Sequence, residues 1–122
     1  MNVLIISNYS FERALLQIII RFFFLIQRYH VNVLAKKSYT LFPPTLKNVY
    51  LIRSDMSDTN LNMIVNVRMI DSKGNIIILT SEKNSYQCIF KFKIAALDFI
   101  SEKNYLLTLV KIIKNLNYIK LN

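Results

Sequence analysis

The chain has 122 residues, of which 53% are hydrophobic, and its formal net charge at pH 7 is +9. This length supports one domain with a sizeable core and excludes two ordinary domains, so residues 1–122 are expected to form a single domain. The chain has one cysteine, Cys88, and one histidine, His30. These counts exclude an internal disulfide and a Cys/His metal cluster.

Targeting signals are not expected in this sequence. The N-terminus lacks the charged segment and small-residue cleavage site of a secretory signal. The longest apolar stretch, Ala14 to Ile26, is interrupted by Gln17 and Arg21 and is shorter than the roughly 20 residues that span a bilayer. We therefore expect a cytoplasmic protein without a membrane partner. The positive charge alone permits nucleic acid, an anionic membrane surface or an acidic protein as partner and does not choose between them.

The first predicted elements are a buried strand and a helix. Val3 to Ile6 is an apolar run without alternation, which is typical of a strand covered on both faces. Helical spacing begins at Phe11 and predicts a first helix that packs on the sheet, with Ser10 as its N-cap and Phe24 as the aromatic residue left exposed. Its apolar stripe is Phe11, Leu15, Ile18, Ile19, Phe22 and Ile26, while Arg13, Gln17, Arg21 and Arg28 share another face.

Strands and helices alternate along the rest of the chain. Short apolar, β-branched runs predict strands at Val31–Ala35, Val49–Ile52 and Ile76–Leu79, and the segment Leu97–Ile100 precedes the last helical stretch. Helical spacing returns over Leu61–Arg68 and over Leu106–Leu116. Pro43 and Pro44 make any helix between the second and third strands short or absent. This order predicts an α/β fold, a doubly wound parallel sheet of five strands with helices on both faces.

One segment resembles a known family closely. Residues 74–100, GNIIILTSEKNSYQCIFKFKIAALDFI, resemble strand 4 through strand 5 of the Agr-type receiver domain in LytTR response regulators. Met1–Arg13 and Leu61–Asp71 support the likeness, which extends over almost the whole chain. The resemblance implies a flavodoxin-like (CheY-like) strand order of 2-1-3-4-5, with a pocket at the carboxyl ends of strands 1, 3, 4 and 5. In the family a LytTR DNA-binding domain follows the receiver; we expect none here, and therefore no direct promoter recognition.

The phosphorylation chemistry of such receivers is absent from the matching positions. Receivers bind Mg²⁺ with two acidic residues after strand 1, phosphorylate an aspartate ending strand 3, and use a Thr or Ser after strand 4 and a Lys after strand 5. The matching residues here are Asn8 and Tyr9, Arg53, Thr80 and Glu102, with Phe99 at the aromatic switch position. Because a guanidinium is neither a nucleophile nor a metal ligand, we expect no phosphorylation, no Mg²⁺ or other cofactor, and no enzymatic activity.

Two hypotheses concern the altered pocket. Since the charges at the acceptor and lysine positions are both inverted, Arg53 and Glu102 are predicted to form an ion pair across it. Asp55 is the alternative phosphoryl acceptor. We disfavour Asp55 because its use would place the charge of Arg53 inside a buried strand.

The resemblance implies a function in binding. The chain is interpreted as a phosphorylation-independent pseudo-receiver in two-component signalling of the quorum-sensing type, whose partner is a histidine kinase, a response regulator or a second copy. The expected surface is the fourth helix, fifth strand and fifth helix, where the basic residues include Lys91, Lys93, Lys111 and Lys114. An ordinary solvated surface is the simpler explanation of those charges. A basic nucleic-acid-binding module and a non-functional remnant of a split response regulator stay open as alternatives.

Overall fold

The structure is a computed structural model in which residues 1–37, 47–55, 58–81 and 95–122 are described, without the side chains of residues 58 and 59. Over these residues the elements are β1 (Asn2–Ile6), α1 (Ser10–Ile26), β2 (Asn32–Lys36), β3 (Asn48–Arg53), α2 (Asp58–Ile70), β4 (Asn75–Leu79), β5 (Asp98–Ile100) and α3 (Tyr105–Leu121). The strands predicted from apolar runs are confirmed. The interval between β2 and β3, where a short or absent helix is predicted, falls largely on residues outside the described ones, and so do Cys88 and the stretch between β4 and β5 expected to hold the fourth helix.

The five strands form one parallel sheet in the order β2-β1-β3-β4-β5, which confirms the predicted 2-1-3-4-5 topology. All five residues of β1 are buried, which explains why its sequence shows no polar alternation. The register pairs Ile6 with Ile52 and Arg53 with Leu79. The residues that follow β1, β3 and β4 therefore meet at one edge of the sheet, the carboxyl edge.

Helices cover both faces of the sheet. On one face, α1 and α3 pack over the strands through two sets of aliphatic and aromatic side chains, Leu16, Ile20 and Phe24 from α1 and Ile112, Leu116 and Ile119 from α3. On the other face, Ile64 and Val67 of α2 pack against Leu4, Tyr50 and Ile76. This arrangement follows from right-handed crossovers, because β1 to β2 runs one way across the sheet and β3 to β4 runs the other.

The orientation of α1 differs from the prediction. Its buried face carries Leu16, Ile20 and Phe24, spaced four residues apart, together with Glu12. The predicted apolar stripe was wrong, because four of its six residues are exposed, namely Phe11, Ile18, Phe22 and Ile26. The physical reason is that α1 is apolar on almost every side, so periodicity alone does not locate the core.

Two finer predictions about α1 were also wrong. Phe24 is fully buried, and its ring meets the edge of the Phe23 ring at a centroid distance of 5.2 Å. The N-cap is Tyr9, with no side-chain cap, and Ser10 is the first helical residue. Tyr9, whose backbone is extended, therefore occupies the N-cap position that was expected for Ser10.

A polar ladder crosses the opposite, amino edge of the sheet. Asn2 pairs in register with both Asn32 and Asn48. The Asn32 amide donates to the Asn2 side-chain oxygen at 3.0 Å, and the Asn2 amide donates to Asn48 at 3.1 Å. The Asn48 amide and the Tyr50 hydroxyl then donate to one Asp71 carboxylate oxygen at 2.9 and 2.7 Å. The ladder satisfies polar groups that would otherwise be buried without partners.

Gly74 is required where this ladder ends. Its backbone N–H donates to the other Asp71 carboxylate oxygen at 2.8 Å. A Cβ at residue 74 would lie 2.7 Å from Tyr50 Cε2 and 2.8 Å from Asp71 Oδ2, closer than real contacts allow. The single glycine of the chain therefore permits a close approach of backbone to side chain.

Candidate functional site

A carboxylate and a guanidinium meet at the carboxyl edge of the sheet. Glu12 lies in the first turn of α1, on the buried face, and Arg53 is the last residue of β3. Arg53 donates from Nε to Glu12 Oε1 at 3.0 Å and from Nη2 to Oε2 at 2.6 Å. The Glu12 side chain is 7% exposed and the Arg53 side chain is 20% exposed. This bidentate, largely desolvated pair connects the end of β3 to the start of α1.

Two hydroxyl groups complete the surroundings of the Glu12 carboxylate. Ser7, directly after β1, donates to Oε1 at 3.0 Å, and Tyr105, the first residue of α3, donates to Oε2 at 2.8 Å. Each carboxylate oxygen thus accepts two hydrogen bonds. We call these four residues, Ser7, Glu12, Arg53 and Tyr105, the Glu12 cluster.

The cluster shifts the pKa values of its members. Burial alone would raise the pKa of the Glu12 carboxyl, but the hydrogen bonds and charge of Arg53, with the hydroxyls of Tyr105 and Ser7, outweigh it and hold that pKa below its ordinary value. Burial and the Glu12 carboxylate both raise the pKa of the Tyr105 hydroxyl. Near neutral pH the cluster therefore contains an ionised Glu12, a protonated Arg53 and a neutral Tyr105.

The structure places the predicted pocket residues at different depths. Asn8 and Tyr9 are exposed in the turn after β1, and the Tyr9 backbone N–H donates to Ser7 Oγ at 3.1 Å. Thr80 is buried at the end of β4, where its backbone N–H donates to the Ile100 carbonyl at 3.0 Å. Phe99 is half-buried in β5. Of the predicted residues, Arg53 alone belongs to the Glu12 cluster.

The predicted Arg53–Glu102 ion pair is wrong. Arg53 pairs with Glu12, and Glu102 pairs with Lys111 of α3. The reason is that the first turn of α1 brings the Glu12 carboxylate to the end of β3 in a buried position, whereas Glu102 lies beside α3 with 26% of its side chain exposed. The alternative acceptor, Asp55, is exposed beyond β3 and accepts a hydrogen bond from the Asn60 amide at 2.5 Å.

The basic residues predicted to form an interaction face are only partly described. Lys111 is engaged with Glu102, and Lys114 is exposed on α3. Lys91 and Lys93 lie outside the described residues.

The sequence prediction missed Glu12 and Tyr105. Glu12 is the one acidic residue before Asp55 in the chain, and it stands four residues before Leu16, in the row that the structure buries. A carboxylate on a buried helix face needs a cationic or hydrogen-bonding partner. Glu12 could therefore have been identified as a site residue once the buried face of α1 was known. Tyr105 carries no comparable signal.

The described residues contain neither a metal-ligand group nor a membrane-spanning helix. Among residues 1–37, 47–55, 58–81 and 95–122, no three His, Cys, Asp or Glu side chains come together in a group that could hold a metal ion. In the same part of the chain, no helix is long and apolar enough to cross a membrane.

Comparison with known proteins shows similarity in fold. The sequence matches no protein-family model and no curated protein. Solved structures do match. The non-phosphorylated HemR receiver domain of Leptospira biflexa is 13% identical with a TM-score of 0.74, and the match covers 93% of this chain and 91% of that one. A response regulator from Thermotoga maritima is 18% identical with a TM-score of 0.62, over 92% and 95% of the two chains.

A third structure is similar over almost the full length of both chains. The N-terminal domain of the Wolinella succinogenes protein WS1339 is 17% identical with a TM-score of 0.72, over 99% of this chain and 97% of that one. At these identities the likeness concerns the fold. The chain has the flavodoxin-like fold of response-regulator receiver domains, with the Glu12 cluster at the carboxyl edge where ligands bind in open α/β sheets.

Proposed function

We propose that this protein is a pseudo-receiver of the Agr/LytTR type, a regulatory module that acts by binding a protein and does not take up phosphate. The observation that carries the proposal is the Arg53–Glu12 ion pair. Arg53 ends β3, the position at which receivers carry the phosphoryl-accepting aspartate, and its guanidinium cannot act as an oxygen nucleophile.

The residues at this edge do not fit a magnesium ion. Ser7, Asn8 and Tyr9, which follow β1, offer no carboxylate. Among the described residues, Glu12 supplies the carboxylate of the cluster, and each of its two oxygens already accepts two hydrogen bonds. Mg²⁺ prefers carboxylate and water oxygens in a strict octahedron, so it would have to displace a cation that is held bidentately. The proposal therefore includes neither a metal cofactor nor catalysis.

The Glu12 cluster also favours a fixed conformation. It joins residues that follow β1, begin α1, end β3 and begin α3, so a movement of one segment away from the others would break hydrogen bonds of the cluster. In a phosphorylated receiver such segments respond to the phosphoryl group. Here an internal ion pair holds them, and the module would present one surface at all times, in the cytoplasm, to a kinase or response regulator.

The phosphate-independent part of the proposal is tested by chemical phosphorylation. The intact protein is incubated with Mg²⁺ and a small-molecule phosphodonor, and its mass is measured. We expect no added phosphoryl group. A matched variant, Asn8→Asp with Arg53→Asp, returns carboxylates to the metal and acceptor positions and serves as the positive comparison. Phosphorylation of the wild-type chain that Asp55→Asn abolishes would overturn the proposal in favour of Asp55 as acceptor.

The binding part is tested with purified histidine kinases and response regulators from the source cell. We expect one of them to bind with a defined stoichiometry and to bind less well when Lys114 on α3 is changed to Glu. Lys37→Glu, an exposed basic residue beyond β2, is the matched control. Binding to DNA or RNA that falls steeply with salt, and binding to no protein, would instead identify a nucleic-acid-binding module.

A further inference from the structure

The outer face of α1 is apolar along its whole length. Phe11, Ile18, Phe22 and Leu25 are between 62% and 76% exposed, and Ala14 is exposed between them. At about 100° per residue these five side chains fall in a sector of roughly 80°, on the side opposite the sheet. We call this row the α1 outer stripe. A solvent-facing helix surface is ordinarily polar, so an apolar row of this length indicates a surface that another molecule covers.

The stripe itself contains no charged side chain, although Arg21, which flanks it, lines the groove at its end. The nearest basic side chains turn back onto the chain. Arg21 donates to the Val33 carbonyl at 3.0 Å, and Arg13 donates to the Ser7 carbonyl at 2.7 Å. The occupant of the stripe is therefore selected by shape and apolar contact.

The positions in the stripe are symmetric about Ile18. This residue is the midpoint of α1, which runs from Ser10 to Ile26. Phe11 and Leu25 each lie seven residues from it, and Ala14 and Phe22 each lie four residues from it. If two copies of α1 pack antiparallel about a two-fold axis at Ile18, Phe11 faces Leu25 and the large Phe22 faces the small Ala14. Large side chains opposite small ones interdigitate.

We propose that the α1 outer stripe is a self-association surface, on which a second copy of this chain docks to form an antiparallel, two-fold symmetric α1–α1 pair. The groove beside the end of the stripe supports the same arrangement. Its volume is about 510 Å³, and Phe22, Leu25, Tyr29 and Val31 are among its lining residues. It lies at the end of α1 that Phe11 of the second copy would reach. This inference is independent of the proposed function and concerns a face other than the basic face of α3.

The exposed area indicates how tight this pair should be. With about 100 Å² buried for each stripe residue, each copy contributes roughly 500 Å², or roughly 1,000 Å² in total. That area is at the lower limit for a specific interface, so a reversible dimer is expected. Because both copies carry a net charge of +9, salt should tighten the dimer by screening their repulsion.

Sedimentation velocity of the full chain, at concentrations up to about 200 μM, tests the proposal. We expect a monomer–dimer equilibrium that shifts toward dimer between about 50 and about 500 mM salt. Ile18→Gln with Phe22→Gln should raise the dissociation constant at least about tenfold. Met69→Gln with Ile70→Gln, a pair of exposed apolar residues on α2 across the sheet, should leave it unchanged.

A cysteine variant tests the symmetry. Ile18→Cys should form an intermolecular disulfide under mild oxidation, because the two-fold axis places residue 18 against itself. Met69→Cys and the parent chain are the controls, and neither should cross-link to the same extent. A monomer at every concentration, or a dimer that the Ile18/Phe22 variant does not weaken, would overturn the proposal. So would stripe-dependent binding to vesicles of anionic lipid without any self-association.

Discussion

Changing Glu12 to Gln tests the Glu12 cluster most sharply through stability. The substitution keeps the size of the side chain and removes its charge, so the Arg53 guanidinium loses its counterion while it remains 20% exposed. Removing one partner of a fully buried ion pair costs about 3–5 kcal/mol, and the partial exposure of Arg53 lowers the expected loss to about 2–3 kcal/mol. Arg53→Met should cost a similar amount, because it leaves the Glu12 carboxylate uncompensated at 7% exposure.

The double variant separates the ion pair from the two side chains themselves. With both charges removed, neither side chain is buried as an unpaired ion, so Glu12→Gln with Arg53→Met should lose less than the sum of the single variants. We expect a coupling free energy of about 1.5–3 kcal/mol. Urea unfolding of the four proteins at pH 7 measures it. Additivity of the single losses to within about 0.5 kcal/mol would refute the pairing of Glu12 with Arg53.

Three further predictions concern the same structure. The pKa values of the Glu12 and Asp71 carboxyls are lowered in the folded chain, so their stabilisation is present above the ordinary carboxyl pKa of about 4 and is lost as the pH falls through the lowered values. Urea unfolding between about pH 6 and pH 2 should therefore show a smaller acid loss for Glu12→Gln than for the wild type, and equal losses would contradict this. Asp71→Ala removes the acceptor shared by Asn48, Tyr50 and Gly74 and should lower the free energy of unfolding by about 2–4 kcal/mol in the same assay. Asp71→Asn should have an intermediate effect. A change below about 0.5 kcal/mol for Asp71→Ala would argue against the ladder. Gly74→Ala should cost about 1–3 kcal/mol and alter the near-ultraviolet circular dichroism of tyrosine, because its Cβ would meet the Tyr50 ring; an unchanged melting temperature would contradict the close approach.

The sheet could be predicted from the sequence because its strands have a local signature. β1, β3 and β4 are short, uninterrupted apolar runs, and burial on both faces produces such runs. The orientation of α1 could not be predicted in the same way. The outer row of α1 is as apolar as its buried row, so the sequence pattern does not show which of the two rows faces the sheet. The outer row contains Phe11, Ile18 and Phe22, and the buried row contains Leu16, Ile20 and Phe24.

The candidate site was predictable in part. Arg53 was identified from its position at the end of a strand in a sequence that resembles a receiver. Its partner depended on the rotation of α1, which decides whether Glu12 points to the sheet or to solvent. Without that rotation, the inverted charge at the lysine position indicated Glu102 as the partner, although Glu102 forms a local pair with Lys111.

We claim, as part of the proposed function, that an internal ion pair replaces the phosphate and metal at this edge of the sheet. Adding Mg²⁺ and beryllofluoride, a phosphoryl mimic, to the isotopically labelled protein and recording amide chemical shifts tests that claim most directly. The Glu12 cluster predicts no saturable shifts at Arg53, Thr80 or Tyr105. Saturable shifts at these residues that require both Mg²⁺ and beryllofluoride would show that the pocket binds the metal and a phosphoryl group, and would contradict the claim.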